Sequence, residues 1–395
     1  MIYLDKSTLS QRILAKIKDN KGRVINRFFA TYVFRLSYRL FCHLPINEKK
    51  ILFASDSRTS MEGNFRFVLD ELRRQNKDFK YRYMLKEGTA AKKTCKEILG
   101  LSYHLATSKY ILLDDFYPMV YPLKIRKGAE LIQLWHAVGA FKKFGFSRVG
   151  LPGGPHPSSI NHKNYSKAIV SSKNVSKHYA EGFGISEDKI IATGIPRTDI
   201  FFDKTYMDDT KKRLYKQYPY LKEKKVILFA PTFRGPGQQS AYYPLDYLTI
   251  DKIYNALHEE YIMLFKMHPF VKDKWNIPEQ YSHFFHDFSA YREINDLLLI
   301  TDLLITDYSS VCFEFALLNK PMIFYAPDME EYTSERDFYY DYQSFIPGPL
   351  VRSEDELIEH ILQEKFSMDK INQFRKYFFD HDDGKSSKRV VDMLN

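Results

Sequence analysis

A chain of 395 residues is longer than one ordinary hydrophobic core requires, and its length predicts two domains. The composition is 44% hydrophobic, with 31 Phe and 29 Tyr but only 17 Gly and 17 Pro, which supports full globular cores and excludes a long low-complexity segment. The 59 Lys and Arg against 49 Asp and Glu give a formal net charge of +10, so a polyanionic partner is expected: nucleic acid, anionic lipid or a phosphate-rich substrate. The widely spaced Cys42, Cys95 and Cys312 suggest neither a disulfide framework nor a metal cluster and fit a reducing cytoplasm. No apolar run approaches the ~20 residues that a spanning helix needs. The start of the chain also lacks the basic and apolar regions of a signal peptide, so a soluble or peripheral protein is expected.

The positive excess is concentrated at the start, where residues 1–50 hold 11 Lys and Arg against Asp5, Asp19 and Glu48. From Val24 to Cys42, VINRFFATYVFRLSYRLFC sets Arg27, Thr31, Arg35 and Arg39 at four-residue spacing on a helix otherwise covered with Phe, Tyr, Val and Leu. Two arrangements satisfy that pattern: a helix lying on an anionic membrane surface, or one packing its apolar face on its own domain. After this basic amphipathic leader, residues 1–48, an alternating series begins. Strands are expected at Lys50–Ser55, Tyr81–Leu85, Tyr110–Leu113 and Leu131–Trp135, and helices at Phe65–Gln75 and Thr89–Leu99, which predicts a parallel sheet. Residues Gly145–Asn164, rich in Gly, Pro and Ser, read as a long functional loop. Short strands follow at Ala168–Ser171 and Ile190–Gly194, and the boundary between an N-terminal domain, 49–195, and a C-terminal one, 196–395, is placed just beyond.

A second series has strands at Lys225–Ala230, Tyr261–Met267, Leu303–Thr306 and Met322–Ala326, with a helix running from the turn Asp307-Tyr308-Ser309-Ser310 to Leu318. In such a unit the helix N-terminus and two hydroxyls suit a phosphate or pyrophosphate, and Glu314 lies one turn on, in reach of a sugar hydroxyl. The same residues equally suit an ordinary helix cap. Two open sheets in one chain predict an α/β fold of the GT-B type: two Rossmann-like domains facing a central cleft, the C-terminal one holding a nucleotide-linked donor and the N-terminal one the acceptor.

Four strand ends carry polar groups: Trp135-His136, Pro231-Thr232-Phe233-Arg234-Gly235, Lys266-Met267-His268-Pro269 and Asp307-Tyr308-Ser309-Ser310. A lone histidine at a strand end is usually structural, whereas several such ends turned to one crevice make a site. The ordered set LIQLWHAVGAFKKFG, GIPRTDIF, ILFAPTFRG, KMHP, ITDYSSVCFEFALLNKPMIFY and HDDGKSSKRV resembles the CDP-glycerol/CDP-ribitol polyol-phosphate transferases of wall teichoic acid biosynthesis in Gram-positive bacteria.

That resemblance implies transfer of ribitol phosphate or glycerol phosphate from CDP-ribitol or CDP-glycerol to an undecaprenyl-diphosphate-linked teichoic acid precursor, with release of CMP. It implies no cofactor, no metal and no nucleic-acid partner, and a peripheral place on the cytoplasmic face of the cell membrane. By position, His136 matches the general base and His268 the residue that stabilises charge on the leaving CMP. Donor-binding positions are Trp135, Gly139, Arg197, Pro231, Thr232, Arg234, Lys266, Asp307, Ser309, Ser310 and Glu314. Glycerol-phosphate members read WHGTPLKK where this chain reads WHAVGAFKK, a form more like the ribitol-phosphate branch, and Ala137 puts a glycine-dependent backbone at that position in doubt. In the loop that follows, His156, Ser158, Ser159, Asn161 and His162 either recognise a longer polyol or are simply solvated. The competing readings are a glycerol-phosphate-specific primase or polymerase of the same family, a GT-B glycosyltransferase using a nucleotide-sugar, and a basic nucleic-acid-binding protein, for which no recognition motif is present.

Overall fold

The apolar runs become two six-stranded sheets in which every strand pairing is parallel, seen in a computed structural model that describes residues 29–394 apart from 236, 274 and 276. The first sheet contains β1 (Asn47–Ser55), β2 (Lys80–Leu85), β3 (Ser108–Leu113), β4 (Glu130–Gln133), β5 (Lys167–Ile169) and β6 (Ile190–Ile191), in the order β2-β1-β3-β4-β5-β6. The second contains β7 (Lys225–Phe229), β8 (Tyr261–Phe265), β9 (Phe285–Asp287), β10 (Leu303–Thr306), β11 (Met322–Tyr325) and β12 (Leu350–Val351), in the order β12-β11-β10-β7-β8-β9. Central strands are apolar on both faces because helices cover both, so Ile51–Ala54, Val226–Phe229 and Leu303–Ile305 are all buried. The strand order reverses between β1 and β3 in one sheet and between β7 and β10 in the other. The chains leaving the carboxyl ends of such a pair diverge and open a crevice.

The two units are stapled together. Phe141 of the first stacks on Phe345 of the second with ring centroids 4.8 Å apart, and Lys143 N–H and Tyr339 N–H donate across the junction to Asp337 and Phe141 carbonyls at 2.8 and 2.9 Å. Gly139 makes that approach possible. Its φ is +66°, and a Cβ there would lie 2.2 Å from the Phe313 ring. The final helices, Met368–Phe378 and Ser386–Asp392, return to the first unit, where the backbone N–H groups of Ser386 and Ser387 cap Asp199 at 2.9 and 2.8 Å.

Several elements depart from expectation for local reasons. The helix expected at Thr89–Leu99 runs from Cys95 to Thr107, because Thr94 and Glu97 form a reciprocal capping box that starts it there. The strand expected to reach Trp135 stops at Gln133, and the one expected at Ile190–Gly194 stops at Ile191. The helix after Ser310 spans only Val311–Ala316. Its last turn tightens through the Leu317 and Leu318 N–H groups to i−3 carbonyls and ends on Asn319 at φ +51°. Residues 24–28 of the basic amphipathic segment lie outside the described residues. Phe29–Val33 form one widened turn and Phe34–Phe41 a helix that buries Phe34, Ser37 and Tyr38 on the domain. Tyr32, Leu36, Leu40 and Leu44 remain exposed at four-residue spacing.

Candidate active site

β3 and β4 are neighbours, so Asp114-Asp115 and Trp135-His136 emerge side by side. Buried Gln133 knits them together: its amide donates to the Asp115 carbonyl at 3.0 Å and its side-chain oxygen accepts from Trp135 N–H at 2.9 Å. Trp135 adopts φ +53°, a left-handed conformation that costs a non-glycine residue roughly 1–3 kcal/mol. It is held there by Asn64, whose amide donates to its carbonyl at 2.7 Å, and by packing on Phe144 and Phe183. The kink turns His136 outward, its side chain 47% exposed, with Nδ1 3.1 Å from Asp115 Oδ1. Burial pushes the Asp115 carboxyl up, but His136 and the Phe116 N–H outweigh it and leave the group below its ordinary value. A carboxylate at Nδ1 keeps the proton on that nitrogen and leaves Nε2 as the free base.

The second unit supplies the facing wall. Asp307 accepts from Thr232 N–H at 2.7 Å and Tyr308 N–H at 2.6 Å, and pairs with Arg234 at 2.9 Å. Arg234 also grips both Asp328 oxygens, at 2.5 and 3.0 Å, and lies among the rings of Tyr243, Tyr308 and Tyr332. Arg234 and Asp307 are buried, with their bonding directed inward; expected as donor contacts, they instead lock the β7 and β10 ends together beneath the cavity floor.

The other expected site residues share two adjoining cavities. One, about 280 Å³, lies between the units and is lined by Trp135, His136, Gly139, Thr232, His268, Ser309 and Ser310. The second, about 220 Å³, shares His268, Ser309 and Ser310 and adds Arg197, Pro231, Lys266 and Glu314. Arg197 Nη2 pairs with Glu314 Oε1, yet Arg197 Nε, Glu314 Oε2 and the Thr232 hydroxyl are buried without a hydrogen-bond partner among the described residues. Such orphans beside a cavity suit a polar ligand. Ser310, at the N-cap, makes no side-chain cap bond, and Asp307 bonds to Thr232 N–H and Arg234, so of the three only Ser309 caps the helix, its hydroxyl accepting from Val311 N–H at 3.4 Å. A helix this short contributes little dipole, which leaves the hydroxyls and nearby cations as the anion-binding groups.

His268 Nδ1 accepts from Phe270 N–H at 3.2 Å, so the neutral ring carries its proton on Nε2. Burial, then neighbouring Lys142 and Lys266, lower its pKa to about 4, making it a neutral hydrogen-bond donor near pH 7. Burial also lowers Lys266, which donates to the Ser289 carbonyl at 3.1 Å. Lys142 lines the interdomain cavity and donates to the Tyr332 hydroxyl at 2.8 Å, and burial takes it down to about 7. Neither Asp115 nor Lys142 was singled out by sequence, although one ends the run YILLDD and the other lies in WHAVGAFKK. The glycine-dependent backbone falls at Gly139, not Ala137. His156 and Ser158 are exposed, but His162 is buried, bonded to Tyr121 and Tyr165 hydroxyls at 3.1 and 2.9 Å and packed edge-on against Trp135, so it supports the kink rather than meeting solvent. Among the described residues no group of three or more His, Cys, Asp and Glu is placed to hold a metal ion.

The chain is 58% identical over 376 residues, 94% of its length, to the teichoic acid poly(ribitol-phosphate) polymerase of Bacillus spizizenii, and spans 61% of that relative. It is 38% identical over 382 residues to the teichoic acid ribitol-phosphate primase of the same organism, covering 92% of this chain and 95% of the relative. The solved wall teichoic acid polymerase TagF shares its fold at a TM-score of 0.74 and 22% identity, with 98% of each chain covered. Residues 36–395 match the family described as CDP-glycerol:poly(glycerophosphate) glycerophosphotransferase, and the chain belongs to that family.

Proposed function

We propose that this chain transfers ribitol phosphate from CDP-ribitol to a hydroxyl of a lipid-linked teichoic acid acceptor and releases CMP. One observation carries the reading: the carboxylate-oriented imidazole of one unit, Asp115–His136, faces across a single cavity the Thr232, Ser309 and Ser310 hydroxyls and the His268 ring of the other. The placement of the second cavity at the β7–β10 switch point, with Arg197, Lys266, Ser309 and Ser310 on its walls, supports a nucleotide diphosphate there. Glu314 Oε2 suits the ribose.

In the mechanism, His136 Nε2 takes the proton of the acceptor hydroxyl as its oxygen forms a bond to the β-phosphorus of the donor. The bond from that phosphorus to the bridging oxygen breaks, and its electron pair leaves on CMP, where His268 Nε2–H and Lys266 donate to the oxygen that gains charge. Lys142, together with Ser309 and Ser310, neutralises the oxygens of the group in flight. His136 then loses its proton to solvent. Trp135 and Gly139 shape the wall, and Arg234 with Asp307 positions the strand ends.

The GT-B arrangement, with the acceptor on the first unit and the donor on the second, fits this division of labour, while the final helices, within 196–395, pack back on the first unit. The ribitol-phosphate relatives and the sequence WHAVGAFKK favour ribitol over glycerol. The exposed stripe of Tyr32, Leu36, Leu40 and Leu44 beside Arg39 suits a peripheral seat on the cytoplasmic membrane face, where an undecaprenyl-diphosphate-linked acceptor lies. No helix among the described residues is long and apolar enough to cross a membrane. The test is nucleotide release with a primer analogue and CDP-ribitol or CDP-glycerol in parallel: CMP with CDP-ribitol is expected. CMP with CDP-glycerol alone overturns the choice of polyol, and no CMP with either overturns the function.

A further inference from the structure

The first sheet has a switch point of its own, between β1 and β3, of which the mechanism uses only Asp115. A cavity of about 410 Å³ opens there. Its walls come from Asp56 beyond β1, Met119 beyond β3, the segment Thr89–Lys93, and Thr31 and Arg35 at the start of the described chain. Three cations, Arg35, Lys92 and Lys93, meet one carboxylate. Lys93 is bonded to both Asp56 oxygens at 2.6 and 2.7 Å, with both side chains buried, so that pair is satisfied internally. Arg35 is exposed and has no ion-pair partner among the described residues, and together with exposed Lys92 and the hydroxyls of Thr31 and Thr89 it gives this wall a cationic, hydrogen-bonding face.

Local backbone behaviour points the same way. Thr89-Ala90-Ala91-Lys92-Lys93 consists largely of good helix formers, yet it is held as a turn, with Ala91 N–H on the Gly88 carbonyl at 2.9 Å, and the helix begins only after it. Conflicts between propensity and adopted structure concentrate at functional sites. Asp56 is followed by Ser57, whose hydroxyl bonds to Ser55 at 3.0 Å and to the Asp115 carboxylate, so this cavity lies one residue layer from the acid that orients His136.

We propose that the cavity is an acceptor subsite holding a backbone phosphodiester of the polyol-phosphate chain, upstream of the hydroxyl that attacks. The inference rests on the transferase reading above. The same cations would also suit the phosphate of a lipid headgroup, and the experiment separates the two. Full-length wild type, Arg35→Gln/Lys92→Gln and Arg35→Glu/Lys92→Glu are titrated with a fluorescent ribitol-phosphate oligomer by anisotropy, with CDP-ribitol by calorimetry, and with phosphatidylglycerol vesicles by co-sedimentation. Losing two charge-assisted contacts should raise the oligomer Kd about tenfold or more in both variants. Donor affinity should stay within about twofold, its contacts lying elsewhere. Unchanged oligomer affinity in both variants overturns the subsite, as does lost vesicle binding with oligomer binding intact. Failure of wild type to bind CDP-ribitol or release CMP would overturn the transferase reading alone, while the anisotropy arm still decides the cavity.

Discussion

Replacing Asp115 by Asn keeps the shape of the residue that orients His136 and removes its charge. At a separation of 3.1 Å, a carboxylate and the imidazolium formed during proton transfer attract by about 5 kcal/mol at an effective dielectric of about 20 and about 1 kcal/mol at that of water. His136 is 47% exposed and Asp115 26%, so the pair falls between these limits, near about 3 kcal/mol, or roughly a hundredfold in rate. Loss of tautomer control acts in the same direction, because an amide can donate to Nδ1 and leave Nε2 protonated. The expected result is a kcat lower by about 10²–10³ with unchanged donor affinity, since no contact in the second unit is touched. Single-turnover CMP formation at saturating donor gives the first quantity and calorimetric titration the second. A kcat within about threefold of wild type, or a loss confined to donor affinity, refutes the assigned role.

Donor binding should take up protons: a bound pyrophosphate raises Lys142 from about 7 and His268 from about 4, so calorimetric enthalpies at pH 8 will depend on the buffer, and Lys142→Met will remove that dependence. The folded pKa of Lys142 lies below its unfolded value of 10.5, so the unfolded chain binds the extra proton between pH 7 and 10.5 and stability rises with pH across that window. Lys142→Met should flatten the rise in denaturant titrations. Gly139→Ala should cost about 2–4 kcal/mol, combining a left-handed backbone with a clash on Phe313, and an unchanged urea midpoint would contradict this. Arg197→Ala strands Glu314 buried and uncompensated and should cost about 3–5 kcal/mol, whereas Glu314→Gln should fold near normally and weaken donor binding. Equal destabilisation by the two would argue against a ligand role for the free Glu314 oxygen.

The strands were legible because burial on both faces forces continuous apolar runs, and the polar groups at their ends were legible because ligands sit where such strands stop. What escaped depended on neighbours distant in the chain. Asp115 becomes a partner of His136 only because β3 and β4 pair, and nothing in YILLDD announces it. The inward role of Arg234 rests on Asp328, 94 positions away. The Trp135 kink has no composition signal, and His162, in a polar loop, is buried because Trp135 and Phe183 need covering. One miss was avoidable: Thr94 and Glu97 spell a capping box, and the start of the third long helix could have been read from it.

Phosphorus NMR of the reaction with CDP-ribitol and a primer analogue follows directly which bonds break and form. The two pyrophosphate resonances should be lost as CMP and a new phosphodiester grow in equal amounts, with no turnover in His136→Ala. Cytidine diphosphate among the products, free ribitol phosphate in place of the diester, or normal turnover by His136→Ala would contradict the mechanism.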